Sequence, residues 1–87
     1  MPRVFIPPLI RPLTGGTEDV ELDATSVREV VDQLEALYPG IRERLCKGDA
    51  MKPGLVVAVN GNVSSLGLLH KVREDCEIHF LPSIGGG

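Results

Sequence analysis

Apolar and polar positions follow a helical period over one long stretch of the chain, from residue 26 to residue 38. The stretch opens with Ser26 and Glu29, which have the spacing of a capping box, and Pro39-Gly40 predicts its end. The apolar residues recur at steps of one or three and form one stripe: Val27, Val30, Val31, Leu34, Leu37 and Tyr38. The pattern predicts one amphipathic helix.

Shorter patterns on the N-terminal side of this helix predict two strands. The apolar run from Val4 to Ile6, which two prolines follow, predicts the first strand. Charged and apolar residues alternate over residues 18–23, as in a half-buried strand. The segment Thr-Gly-Gly-Thr at residues 14–17 predicts a turn between them. We therefore expect a hairpin before the helix.

The second half of the chain predicts further strands. After a short turn at residues 41–45 and a polar loop at residues 47–54, the β-branched run at residues 55–59 predicts a strand covered on both faces. Asn60-Gly61 predicts a tight turn into residues 62–63, and residues 77–81 predict a last strand. Strands on both sides of one helix indicate an α+β fold with the helix packed across one face of a sheet.

Length and charge exclude several functions. With 87 residues the chain is one small domain, and its net charge of −3 argues against a nucleic-acid partner. Its aromatic side chains, two Phe and one Tyr, make no base-stacking platform. No apolar stretch is long enough to span a membrane, and no secretory signal is visible. We expect a cytoplasmic protein without nucleic-acid or membrane partners, with Cys46 and Cys76 as reduced thiols.

The sequence closes with Gly85, Gly86 and Gly87. Glycines neither pack nor hold a helix or strand, so we expect a domain over residues 1–84 and a flexible tail over residues 85–87. Composition alone favours a frayed terminus or an expression remnant. The functional alternative is a tail that enters a narrow active site, because a backbone without Cβ atoms passes through a tight channel.

Several segments resemble one protein family. Residues 80–87, Phe-Leu-Pro-Ser-Ile-Gly-Gly-Gly, and the earlier Val59-Asn60-Gly61 are similar to the ThiS/MoaD family of ubiquitin-like sulfur carriers. Residues 10–16 and 34–45 are most similar to the CysO type, the carrier of a cysteine biosynthesis route. Residues 74–77 depart from the family, since Glu-Asp-Cys-Glu replaces a frequent Asp-Gly-Asp-Glu. The resemblance implies a ubiquitin-like β-grasp fold, a mixed sheet with one main helix packed across one face.

The resemblance also implies a carrier rather than an enzyme. An E1-like adenylyltransferase/sulfurtransferase would adenylate the carboxylate of Gly87 with ATP and convert it to a thiocarboxylate. Gly85 and Gly86 would let the tail pass through the narrow channel to that enzyme's active site. In the CysO type the acceptor lies on a PLP-dependent cysteine synthase, and a JAMM-type zinc metalloprotease then frees cysteine. ATP, PLP and zinc therefore belong to partners, and we expect no permanently bound cofactor.

Other functions share the same sequence features. The chain is also compatible with a small molybdopterin-synthase-type subunit, a thiamine-pathway sulfur carrier or a ubiquitin-like protein modifier. A further alternative is a β-grasp interaction domain with an inert tail.

The remaining residues with possible chemistry are candidates for partner docking, metal binding or sulfur relay. We expect partner docking on the apolar sheet face opposite the helix, since partner recognition concentrates in a few apolar anchors. The candidates are Phe5, Val59 and whichever of Phe80 and Leu81 faces outward, although burial in the core is the commoner fate of a phenylalanine. No histidine, cysteine or carboxylate stands at metal-ligand spacing, and neither cysteine is expected to relay sulfur.

Overall fold

The structure is a computed structural model, and it describes residues 1–82. Five strands form the main sheet, and two very short strands form a separate hairpin. The strands are β1 (Arg3–Phe5), β2 (Asp19–Glu21), β3 (Cys46–Lys47), β4 (Ala50–Met51), β5 (Leu55–Val59), β6 (Asn62–Val63) and β7 (Glu77–Pro82). The helices are α1 (Val27–Leu37) and α2 (Ile41–Leu45), with 3₁₀ helices at Pro8–Thr14 and Gly67–Leu69.

The main sheet is mixed, as expected. Its strand order is β2-β1-β7-β5-β6, and β7 therefore lies at its centre. Strand β1 runs parallel to β7, while the β1–β2, β5–β7 and β5–β6 pairs are antiparallel. The predicted Asn60-Gly61 turn joins β5 to β6, and both residues have positive φ, 52° and 84°, as a type I′ turn requires. The predicted hairpin β1–β2 is confirmed.

Helix α1 begins where the sequence predicts. The backbone N–H of Glu29 donates to Ser26 Oγ at 3.2 Å. The Glu29 carboxylate accepts from the N–H and the hydroxyl of Thr25, at 2.7 and 2.9 Å, one residue earlier than the capping box predicts. Leu37 is 55% exposed, so its place in the buried stripe is wrong. Leu37 is the last residue of the helix and lies at the margin of that stripe.

A carboxylate joins the two helices. Gly40, with φ of 106°, follows α1, and its N–H donates to both carboxylate oxygens of Glu35 at 3.2 and 3.1 Å. The N–H of Arg42 donates to the same carboxylate at 2.9 Å. Glu35 therefore satisfies N–H groups at the start of α2 that have no partner within that helix. Arg42 also forms an ion pair with Asp32 of α1.

Two short elements differ from the sequence prediction. The segment predicted as a polar loop at residues 47–54 contains β4 and Lys47, the second residue of β3. Strands of two residues show no alternation that a sequence pattern can reveal. The 3₁₀ helix Pro8–Thr14 was likewise not predicted, because its prolines indicate a break in regular structure. Arg11 Nε donates to the Ile6 carbonyl at 3.0 Å and holds this helix against the end of β1.

The core fills the space between the sheet and α1. Strands β5 and β7 supply Val57, Val59, Ile78 and Phe80, and α1 supplies the first four members of its stripe. Strand β5 was expected to be covered on both faces, and this holds for Val57 to Val59, whereas Leu55 and Val56 are half-buried. No helix within residues 1–82 combines the length and the apolarity needed to cross a membrane.

Candidate functional site

The candidate site is the end of β7, from which the glycine tail continues. Strand β7 is hydrogen-bonded on both sides, to β1 and to β5. The β5 pairing runs from Val59↔Ile78 to Leu55↔Pro82, so even the last described residue is held in register. The predicted reactive residue Gly87 and the predicted passage residues Gly86 and Gly85 lie outside the described residues, as does the domain boundary expected after residue 84.

Two of the predicted docking residues lie in the core. Val59 is 8% exposed and Phe80 is 3% exposed. In the register, Val59 pairs with Ile78, which is fully buried, and Phe80 pairs with Val57. Because paired residues point to the same face of a sheet, both side chains are directed towards α1. The expectation that Val59 is an exposed anchor is therefore wrong, and of Phe80 and Leu81 it is Leu81 that faces outward.

The opposite side of the sheet, which we call the outer face, carries the other two docking candidates. Leu81 is 40% exposed, and Phe5 is half-buried. The ring of Phe5 stacks on that of His79, with centroids 4.2 Å apart and an interplanar angle of 5°. His79 pairs with Ala58, which in turn pairs with Val63, itself 63% exposed. The outer face therefore carries a largely apolar row across four strands.

Charged side chains border this row at the β2 edge. The Arg3 guanidinium lies 3.6 Å from the Asp19 carboxylate and 3.2 Å from that of Glu21. All three side chains are about half exposed, so these ion pairs stabilise the fold little. Their arrangement matches an apolar patch with a polar rim, the usual anatomy of a protein interface.

A groove of about 490 Å³ opens beside the end of β7. It could not be predicted from the sequence, because its walls come from four separate segments of the chain. Arg44 and Lys52 add positive charge to its wall. Apolar side chains line most of it: Leu9, Ile10, Leu45, Leu55, Phe80 and Leu81. Leu9 is 90% exposed at its rim.

The surroundings of the two cysteines indicate a structural role for both. Both are buried and free. Burial raises the pKa of the Cys46 thiol, and the nearby Arg42 and Arg28 oppose this effect. The sulfur of Cys76 accepts the N–H of Arg73 at 3.2 Å in the turn before β7. Neither thiol lies exposed for a sulfur relay, in keeping with the structural role expected for both.

The histidines also have local partners. His70 Nδ1 lies 2.7 Å from the Ser64 hydroxyl, and His79 belongs to the stack on the outer face. Within the described part of the chain, no three His, Cys, Asp or Glu side chains come together as a possible metal site.

The comparisons with known proteins agree with this arrangement. The model of the ThiS family matches residues 4–87. The chain belongs to the ThiS family. It is 36% identical, over 91 aligned positions, to the sulfur carrier protein CysO of Mycobacterium tuberculosis (strain H37Rv), a match that covers 97% of this chain and 96% of that protein.

Solved structures show the same fold. A chain in the crystal structure of the Amycolatopsis orientalis BexX/CysO complex superposes with a TM-score of 0.88 at 32% identity, and the match covers all of both chains. Mycobacterium tuberculosis CysO superposes with a TM-score of 0.86 at 29% identity, covering 97% of this chain and all of that one. The ubiquitin-like β-grasp fold implied by the sequence resemblance is confirmed.

Proposed function

We propose that this ThiS-family protein is a sulfur carrier that serves cysteine biosynthesis. The observation that carries the proposal is its similarity to CysO over nearly the full length of both proteins. The architecture supports it, because β7, the central strand of the sheet, ends at Pro82, and only Ser83 and Ile84 separate it from the glycines of the tail. A carrier needs such an architecture, since the partner enzymes must bind the domain while they act on the tail.

The proposed chemistry takes place at Gly87. A carboxylate is a poor electrophile, and its attack on the α-phosphate of ATP, with release of pyrophosphate, converts it to an acyl-adenylate. A sulfide nucleophile then adds to the acyl carbon and forms the C–S bond, while the C–O bond to AMP breaks. AMP leaves with that electron pair, and the product is a thiocarboxylate. This chain contributes the acyl group, and the partner binds ATP and supplies the catalytic groups.

We extend the proposal to the partners that the family resemblance implies. An E1-like enzyme would activate the tail, a PLP-dependent cysteine synthase would supply the sulfur acceptor, and a JAMM-type zinc metalloprotease would release cysteine. ATP, PLP and zinc then act on the partners. The two buried free thiols suit the reducing cytoplasm in which we place the protein.

For docking, we propose that the activating partner covers the outer face and contacts Phe5 and Leu81. Both are at least partly exposed. Leu81 lies on β7, which leads to the tail, and Phe5 lies on β1, which pairs with β7. Burial in the core removes Val59 and Phe80 from this surface.

The direct test is activation in vitro. The full chain, an E1-like enzyme from the same organism and ATP should give pyrophosphate exchange, and added sulfide should then give the thiocarboxylate. Gly86→Ala should leave folding intact but slow adenylation sharply, because the added methyl group hinders passage of the tail into the narrow active site of the activating enzyme. Deletion of Gly86 and Gly87 should abolish the reaction. Exchange by the deleted chain at the wild-type rate would refute the proposal, and isopeptide adducts without thiocarboxylate would favour a protein modifier.

A further inference from the structure

The groove at the end of β7 reaches down to the core. Its floor includes Ile10, Leu45 and Phe80, which belong to the core cluster, and its rim carries Leu9 at 90% exposure. An apolar surface of this kind is unfavourable in water, and such surfaces often mark interaction sites. The groove adjoins the outer face, since Leu81 lines both, but its floor is distinct, because the Phe80 side chain points to the α1 side of the sheet.

Positive charge stands at one side of this groove. Arg44 and Lys52 both line it and are both exposed. Lys52 Nζ donates to the Glu43 carbonyl oxygen at 2.9 Å, which fixes its position. Among residues 1–82, neither cation lies within ion-pair distance of a carboxylate. The local charge is therefore opposite in sign to the net charge of −3 of the whole chain, and it complements an acidic ligand.

Prolines restrict how the groove can be occupied. Pro7, Pro8 and Pro82 line it, and none of them has a backbone N–H to donate. An occupant therefore gains little from adding a strand here and must be recognised through its side chains. The rigid proline backbone also loses little conformational entropy when a ligand binds.

We propose that the enzyme that adenylates the tail places in this groove a segment with bulky apolar side chains next to carboxylates. The inference rests on the proposed function, since it concerns the same tail. Pro82 is both a wall of the groove and the last residue before the segment that leads to Gly87. An enzyme that draws the tail into its active site must approach over that residue. The apolar floor and the two cations specify the segment it presents.

The test measures how the groove contributes to recognition by the activating enzyme. Leu9→Ser removes the apolar rim, and Arg44→Glu reverses one charge. Matched controls are Leu66→Ser, at a residue 57% exposed, and Lys47→Glu, because neither residue lines the groove. In ATP–pyrophosphate exchange, we expect each groove variant to raise the KM for the carrier about tenfold at unchanged kcat. The controls should match the wild type, and thermal unfolding of every variant shows whether it folds.

The outcomes separate this inference from the proposed function. If the wild-type chain is activated and folded groove variants keep its KM, the groove proposal is overturned while the carrier function stands. If Leu9→Ser raises KM but Arg44→Glu does not, the acidic partner segment is overturned. If the enzyme does not activate the wild-type chain, the proposed function fails and this inference fails with it. A weaker salt dependence of KM in Arg44→Glu than in the wild type would support the charge pairing.

Discussion

Phe5 of β1 and His79 of β7 stack almost in parallel, with their ring centroids 4.2 Å apart. The two residues are direct partners in the parallel β1–β7 pairing. The contact places an aromatic pair at the middle of the outer face, one residue before Phe80, which points into the core. On β7, His79 therefore belongs to the outer face and the adjacent Phe80 belongs to the core. Substitutions can distinguish a role in docking from a role in stability.

We predict opposite results for the two phenylalanines. Phe80→Ala should cost about 3–5 kcal/mol of unfolding free energy, because it leaves a cavity in the core. Phe5→Ala should cost much less, because its ring is half-buried on the outer face, and it should weaken binding to the activating enzyme. Chemical denaturation and calorimetric titration measure the two effects. Unchanged affinity of a folded Phe5→Ala variant would remove Phe5 from the docking surface.

The N-terminus of α1 provides a test in which stability changes and function does not. Ser26→Ala removes the oxygen that accepts the Glu29 N–H, which should cost about 1 kcal/mol and lower the melting temperature by about 4–8 °C. Ser26→Asp keeps an acceptor and serves as the control. Sulfur loading below the melting temperature should equal that of the wild type. Reduced loading of the folded alanine variant would indicate that a partner contacts this end of α1.

Glu35 should matter more than an ordinary surface carboxylate. Its side chain accepts the N–H groups of Gly40 and Arg42, which otherwise lack partners at the start of α2. Glu35→Ala should therefore cost about 1–3 kcal/mol, and Glu35→Gln, which keeps one acceptor oxygen, should cost less. Urea denaturation measures both. Equal stability of the alanine variant and the wild type would contradict the role assigned to this carboxylate.

Acid should weaken the start of α1. Hydrogen bonds from the N–H and the hydroxyl of Thr25 hold the pKa of Glu29 below its usual value of 4.5. The folded state therefore binds this proton less readily than the unfolded state, so the contribution to stability is present above that value. It is lost as the pH falls through the lower pKa of the folded state. Melting temperatures of the wild type and of Glu29→Gln, measured from neutral pH to pH 3, should converge in acid. Parallel curves would contradict this assignment.

The sequence predicts those elements whose pattern is local and long enough to read. Helix α1 combines a capping signal with several turns of apolar spacing, and the Asn60-Gly61 turn needs only two residues. The direction of Phe80 and Val59 could not be predicted, since it depends on which strands flank β7 and in which register. The groove could not be predicted for a similar reason, because only the fold brings Leu9, Arg44 and Phe80 together.

The most direct test of the carrier function is the intact mass of the protein isolated from its own cells, followed by fragmentation. Replacement of one carboxylate oxygen by sulfur adds about 16 Da, and so does oxidation of a methionine. Both methionines, Met1 and Met51, lie far from the tail, so C-terminal fragments separate the two modifications. We predict that the added mass lies on Gly87 and is absent from a chain that lacks Gly86 and Gly87. A native protein without this mass at Gly87, from cells that are synthesising cysteine, would contradict the assignment as a sulfur carrier.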